Sequence, residues 1–351
     1  MDFTPYLEMM IRHKASDLFV TAGSKVRIKI QGRLQDVGDT LYTADLCRQA
    51  VCSLMTEAQI EAFDAERELD FAVSLQDRGR FRINAFYQRG TPGMVTRYLS
   101  NRILSCDELG LPEVLKSLVL HKRGIVLMVG STGSGKSTTL AAMVDHRNRN
   151  SSGHILTIED PVEYIHPHQG CVVNQREVGS DTLTYAAALK SALREAPDVI
   201  LIGEIRTRET MEAAIELSGT GHLAISTLHA NNAHQAMQRI INLFPQELHK
   251  TLFMDLSLNM RAIISQRLVR TVDNKRAAAI EILVNTPHVA DLIREGRVDE
   301  IQDAMAGTEE GGMVTFDNAL LALYRDGRIT LEECLANADS AANLEARINF
   351  G

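Results

Sequence analysis

The residues best suited to do chemistry lie in GSTGSGKS (130–137), which has the spacing G-x-x-x-x-G-K-[ST]. It follows an apolar run, GIVLMVG (124–130), and opens a helical segment from Lys136. That strand–loop–helix setting is what the motif requires. Gly130, Gly133 and Gly135 let the backbone curl with its N–H groups inward, making a concave anion site. Ser131, Thr132, Ser134 and Thr138 complete the candidate phosphate-binding run. The helix N-terminus adds partial positive charge behind the phosphates. Lys136 is placed to reach the β- and γ-phosphates, and the Ser137 hydroxyl can ligate Mg²⁺. Average residue usage produces this pattern by chance in about 1% of chains of this length. Nucleotide binding is the reading.

Two acidic stretches follow at strand ends. TIEDPVEY (157–164) carries Glu159 and Asp160, then Glu163 after a proline, and DVILIGE (198–204) delivers Glu204. Phosphoryl transfer to water needs a metal held near the β/γ oxygens and a carboxylate to orient the attacking water. Spacing does not decide which carboxylate serves which purpose. GHLAISTLHAN (221–231) sets His222 and His229 at opposite ends of another buried-type strand. A histidine there is ordinarily a hydrogen-bonded structural residue. Metal binding is disfavoured because no further Cys or His lies at ligand spacing.

The elements that must position these groups fall into three stretches. Residues 1–100 hold 13 basic and 13 acidic side chains. Short strands are expected at 26–30, 68–75, 80–87 and 93–99, with Gly32, Gly79 and Gly90 as turn candidates. Helices are expected around 44–54 and 56–66, the second capped by Thr56. This describes an α+β domain with a mainly antiparallel sheet. A linker is expected at 101–110, and from Leu111 the pattern changes. Apolar runs at 124–130, 154–158, 198–203 and 222–227 alternate with helices from 136 and over 182–195, 208–218 and 233–243. Apolar strands separated by helices imply a parallel sheet covered on both faces, with ligands at the strands' carboxyl ends. The last hundred residues read as mostly helical and acidic (10 basic, 16 acidic), with GTEEGG (307–312) as a mobile loop.

Composition removes other classes. The chain has 351 residues, a net charge of −8, 45% hydrophobic residues and no Trp. The length implies two domains. The acidic balance and the shortage of aromatics disfavour a nucleic-acid partner. Five cysteines, scattered and without Cys-x-x-Cys spacing, read as reduced thiols in a cytoplasmic protein. MDFTPYLEMM lacks the basic and apolar regions of a secretory signal, and the apolar runs are too short to span a bilayer.

Taken in order, GSTGSGKS, TIEDPVEY, LREAPDVILIGEIR and GHLAISTLHANNA resemble the secretion ATPase superfamily of type II secretion and type IV pili. ASDLFVTAGSKVRIKIQGRL (15–34), GRFRINAFYQRG (79–90) and GGMVTFDNALLALYRDGRI (311–329) resemble its pilus retraction branch, PilT and PilU. The resemblance implies an α/β fold, with a PAS-like N-terminal domain (1–100) preceding a RecA-like P-loop ATPase domain (111–351) whose central sheet is parallel-rich. It implies ATP and Mg²⁺ as ligands, a homohexameric ring, and ATP hydrolysis at the cytoplasmic base of the pilus machine. There the ring would associate peripherally with the inner membrane through a platform protein and drive retraction and twitching motility. By motif position Glu163 matches the branch's catalytic glutamate, Glu204 the Walker B acid, and His222 and His229 the His-box. Arg82 and Arg97 lie on N-terminal strands from which relatives send arginines toward nucleotide, with Arg80 and Arg123 as nearby competitors; the plain reading of each is an exposed strand charge.

HVADLIREGRVDEI (288–301) stands where PilT carries an AIRNL-type signature, and the alanine of EAPD (195–198) also leans toward PilU. That subtype implies an accessory retraction ATPase acting beside a PilT-type paralogue. The alternative reading is accordingly a nucleotide-gated adaptor that contributes little hydrolysis itself. Thr207 departs from the family's usual Arg-Asp pair after the Walker B acid.

Overall fold

Alternating burial organises the first body. Along β5 (Gly79–Gln88) Phe81, Ile83 and Ala85 are buried, while Arg82 and Asn84 are exposed. The buried side packs on Leu7 and Met10 of α1 (Thr4–His13) and on Cys47 and Val51 of α2 (Ala44–Cys52). β1 (Asp17–Val20), β2 (Val26–Ile30), β3 (Arg33–Val37), β4 (Glu68–Leu75) and β6 (Thr91–Leu99) complete an antiparallel sheet in the order β3-β2-β1-β6-β5-β4. α3 (Glu57–Glu66) begins with the expected cap, Thr56, in a reciprocal box with Gln59. The four expected strands are β2, β4, β5 and β6. Gly79 begins a strand instead of making a turn.

The computed structural model describes residues 1–75, 79–99, 102–306 and 310–350. They form two bodies, Met1–Arg102 with Glu163–Ile165, and Ile103–Val162 with His166–Gly351. Asn101 of the expected linker and residues 307–309 of the GTEEGG loop lie outside the described residues.

The second body is built on β7 (Gly124–Val129), buried along its whole length. Ile125, Leu127 and Val129 enter one core; Val126 and Met128 enter another. A strand feeding two cores must lie inside a sheet covered on both faces. α4 (Glu113–Val119) and α5 (Lys136–Asn150) cover one face. The other face is covered by α6 (Tyr185–Ala192), α7 (Arg208–Gly219), α8 (Ala233–Asn242), α9 (His249–Asn259), α10 (Pro287–Arg294) and α11 (Ile301–Ala306). The remaining strands are β8 (Gly153–Glu159), β9 (Cys171–Glu177), β10 (Val199–Glu204), β11 (Leu223–Leu228), β12 (Met260–Arg270) and β13 (Arg276–Val284). Their order is β13-β12-β7-β11-β10-β8-β9, parallel except for the β12–β13 hairpin. α12 (Phe316–Arg325), α13 (Leu331–Ala336) and α14 (Ala341–Phe350) pack a separate core on Val269, Ala277 and Ala279.

The last hundred residues are mostly helical as read, with the β12–β13 hairpin additional, and β9 is likewise additional. Ser265, Gln266 and Glu281 break the apolar pattern of β12 and β13, yet all three are buried. They are satisfied by partners remote in sequence, such as Ser265 Oγ donating to Glu281 at 3.0 Å. Among the described residues no helix is long and apolar enough to cross a membrane.

Register sets the site. Val129 pairs with Leu228 and with Ser265, and Thr227 pairs with Glu204. Gly130, His229 and Glu204 therefore lie at the same carboxyl edge, level with Gln266 of β12. Gly124 pairs with Leu223, which puts Arg123 and His222 at the amino edge.

Candidate active site

The phosphate loop is held open by its own backbone geometry. Gly130 has φ 152° and Gly135 φ 89°. A Cβ on Gly130 would sit 2.6 Å from Gln266 O, and one on Gly135 2.7 Å from Gln266 Nε2. Both positions need glycine for conformation and for space. The loop tip, Ser131, Thr132 and Gly133, is exposed, whereas Ser137 and Thr138 are half-buried. Lys136 is 9% exposed, and its ammonium donates to Gly130 O and Ser131 O, both at 2.8 Å. The buried hydroxyl of Ser134 has no partner among the described residues. An ammonium resting on two carbonyls, beside an unused hydroxyl, fits a phosphate that supplies better acceptors.

Gln266 is the residue that sequence reasoning missed. Its Nε2 donates to Ser134 O at 2.8 Å and its Oε1 accepts from Thr139 Oγ1 at 2.7 Å. One amide thus ties the loop to the first turn of its helix. A cavity of about 560 Å³ adjoins the loop, bounded by Asn231, Gln235, Arg267 and Asn337–Asp339. Arg267 fixes the far wall, donating to Asn337 O at 2.7 Å and Asp339 at 2.6 Å, with its guanidinium 3.8 Å above the Phe316 ring.

At the end of β10 both oxygens of Glu204 are engaged. His229 Nε2 lies 3.2 Å from one, and Arg206 Nε donates to the other at 2.7 Å. That hydrogen bond and the carboxylate's charge hold the Arg206 guanidinium more firmly protonated. Thr207, the departure from the family pattern, caps α7 by accepting from Thr210 N. Threonine does there what an aspartate would do.

Of the other predicted residues, His222 belongs to this body and Glu163, Arg82 and Arg97 to the first. His222 caps a turn: its Nδ1 lies 3.0 Å from Leu217 O, at the edge away from Glu204. Glu163 is exposed and is grouped with the first body. Arg82 and Arg97, also in the first body, stand directly opposite one another on β5 and β6. Asp70 answers Arg82 at 3.4 Å and the buried Asp17 answers Arg97 at 2.9 Å.

The sequence model of the family described as Type II/IV secretion system protein matches residues 2–342. The chain belongs to this family. It is 52% identical over 352 aligned positions to the type IV pilus ATPase PilU of Pseudomonas aeruginosa, covering 100% of this chain and 92% of that one. It is 39% identical to the type IV pilus retractation ATPase PilT of the same organism, covering 98% of this chain and 100% of that one. Among solved structures, the pilus retraction motor PilT with bound ADP superposes with a TM-score of 0.92 at 37% identity, covering 98% and 99% of the two chains. The motif order read from the sequence therefore pointed to the right branch of the secretion ATPases, and the mixed α/β architecture is that of the family.

Beneath the cavity lies a titratable group. Glu281 accepts from Ala233 N at 2.8 Å, at the start of α8, as well as from Ser265. Burial pushes its carboxyl up to about 7; the Ala233 and Ser265 hydrogen bonds oppose this, Asp339 adds to it and Arg267 opposes it.

Two outcomes follow from this geometry. Gln266→Leu removes both loop ties and should weaken ADP binding about tenfold with the fold intact, measured by calorimetry. For Glu281, the unfolded chain releases its proton near the ordinary 4.5 and the folded chain only near 7. The stabilisation from the retained proton is thus complete below the lower value and lost as pH rises through the upper. Urea unfolding should show stability falling across that window, and Glu281→Gln should flatten the fall.

Proposed function

We propose that this chain is an ATP-hydrolysing motor subunit that drives or assists retraction of a type IV pilus, working as a ring at the cytoplasmic base of the pilus machine. The observation that carries this reading is the glycine loop with Lys136 poised over it, in a chain similar over its whole length to pilus ATPases.

The triphosphate lies against the loop N–H groups at the start of α5. Lys136 exchanges the carbonyls of Gly130 and Ser131 for β/γ oxygens, and the Ser134 hydroxyl gains an acceptor. Ser137 and Glu204 are the residues that would hold Mg²⁺, directly or through water. When bound, the ion neutralises phosphate charge and orients the terminal phosphate. No group of three or more His, Cys, Asp or Glu among the described residues could hold a metal. The ion's remaining ligands would come from phosphate and water. His229 and Arg206 fix the direction of Glu204, so contact with the terminal phosphate can be passed to β11 through His229. Glu163 orients or deprotonates the lytic water.

Arg82 and Arg97 present two exposed guanidiniums side by side, an arrangement that costs energy unless anions share it. Asp17 and Asp70 supply part of that compensation. Charge brought from such a pair to the developing phosphate negative charge accelerates hydrolysis in related NTPases by about 10³-fold or more.

Lys136→Ala and Glu204→Ala should each abolish Mg²⁺-dependent ATPase activity, as should chelation of Mg²⁺. Arg82→Ala and Arg97→Ala should retain ATP binding while turnover falls about 10³-fold. Twitching restored in a deletion strain by the Lys136 variant would favour the adaptor role over the motor. Undiminished turnover in the Lys136 and Glu204 variants would end the proposal.

A further inference from the structure

At the amino edge of the central sheet, opposite the phosphate loop, the chain enters β7 through His121, Lys122 and Arg123, while β12 begins beside them at Met260 and Arg261. A cavity of about 620 Å³ opens there. One wall carries Lys122, Arg123 and Arg261, and another carries Val114, Leu118 and Val284. Asn285 also lines the cavity. Its amide nitrogen donates to Ser257 O at 2.9 Å and Met260 O at 3.0 Å, leaving Oδ1 buried without a donor among the described residues.

Among the described residues these cations meet no carboxylate. Elsewhere in this body Lys116, Arg176, Arg267 and Arg297 each meet a carboxylate within 3.0 Å. Lys122, Arg123 and Arg261 have no carboxylate within 4.0 Å among the described residues. Arg261 Nε donates to Arg123 O at 3.1 Å, which ties the two arginine-bearing segments together. Burial, then the charge of Arg123, pushes the Arg261 guanidinium down; burial, then Arg261, pushes His121 down. This is the behaviour of positive groups crowded together without an anion. In a chain of net charge −8 it is a local reversal of sign.

We infer that this cavity is a docking site for an acidic peptide segment of a partner protein. A carboxylate side chain would take the Arg123–Arg261 pair, and an adjoining aliphatic side chain would lie on Val114, Leu118 and Val284. The apolar wall selects among anions: a bare phosphate or carboxylate brings charge but leaves that wall unused, whereas a peptide brings both. The site lies at the sheet edge opposite the nucleotide, and the inference does not depend on how hydrolysis proceeds.

The test is an array of hexapeptides permuting Leu, Asp and Glu, with Leu/Asn/Gln counterparts, probed with the intact protein and followed by fluorescence anisotropy on the best binders. Acidic peptides should bind about tenfold or more tightly than their amide counterparts, weaken with salt, and resist displacement by millimolar inorganic phosphate. Arg261→Gln should lower that affinity about tenfold while the ATPase rate stays unchanged. Lys122→Gln, at an exposed position, gives the same direction of change should the Arg261 variant fail to fold. Equal binding of acidic and amide peptides, full displacement by phosphate, or undiminished binding by the variants would overturn the inference.

Discussion

A lysine ammonium lying against two backbone carbonyls is the interaction on which the rest of the structure converges. Lys136 reaches Gly130 O and Ser131 O only because the loop between them curls tightly enough to present both. That curl needs the φ values of Gly130 and Gly135 and a neighbouring strand that leaves no room for a Cβ. The neighbour is β12, whose Gln266 clamps Ser134 and Thr139. β12 in turn is fixed by register to β7 and by the α12–α14 core on its far portion. A nucleotide site that looks local in sequence is thus maintained by a segment about 130 positions later.

The same dependence explains what could be read in advance. Glycine at a positive-φ position, a lysine after it and a carboxylate ending an apolar strand are local facts, and they located Lys136 and Glu204 at one edge. The strands of β5 and β7 were legible because one face, or both, is apolar, and burial imposes a period that the sequence must obey. Gln266 carries no such mark. It is a polar residue in a strand, buried because its partners are far away, and it reads locally as a disruption of the strand. Ser265 and Glu281 hid the hairpin for the same reason. Arg267 and Asp339 become a pair only when α13 has folded back over β12. The two histidines of one motif show the limit in another form: spacing placed them at strand ends, and only the register shows His229 on Glu204 and His222 on a helix-terminal carbonyl.

The two edges of the central sheet have opposite assignments. At the carboxyl edge, Arg206 and His229 meet Glu204, and Lys136 rests on the loop carbonyls. At the amino edge, among the described residues, three cations lack a carboxylate and a buried amide oxygen lacks a donor. A parallel sheet sends β7 directly from one edge to the other, through a strand with every residue buried. Close packing makes such a strand a stiff connection between the two edges.

The most direct test of this account is a crystal structure of the protein with Mg²⁺ and a non-hydrolysable ATP analogue. Lys136 Nζ should have left the carbonyls of Gly130 and Ser131 and lie about 2.8 Å from a β- or γ-phosphate oxygen, with Gln266 still bridging Ser134 and Thr139. A bound nucleotide with Lys136 Nζ still on the two carbonyls, or with its phosphates away from the loop, would contradict it.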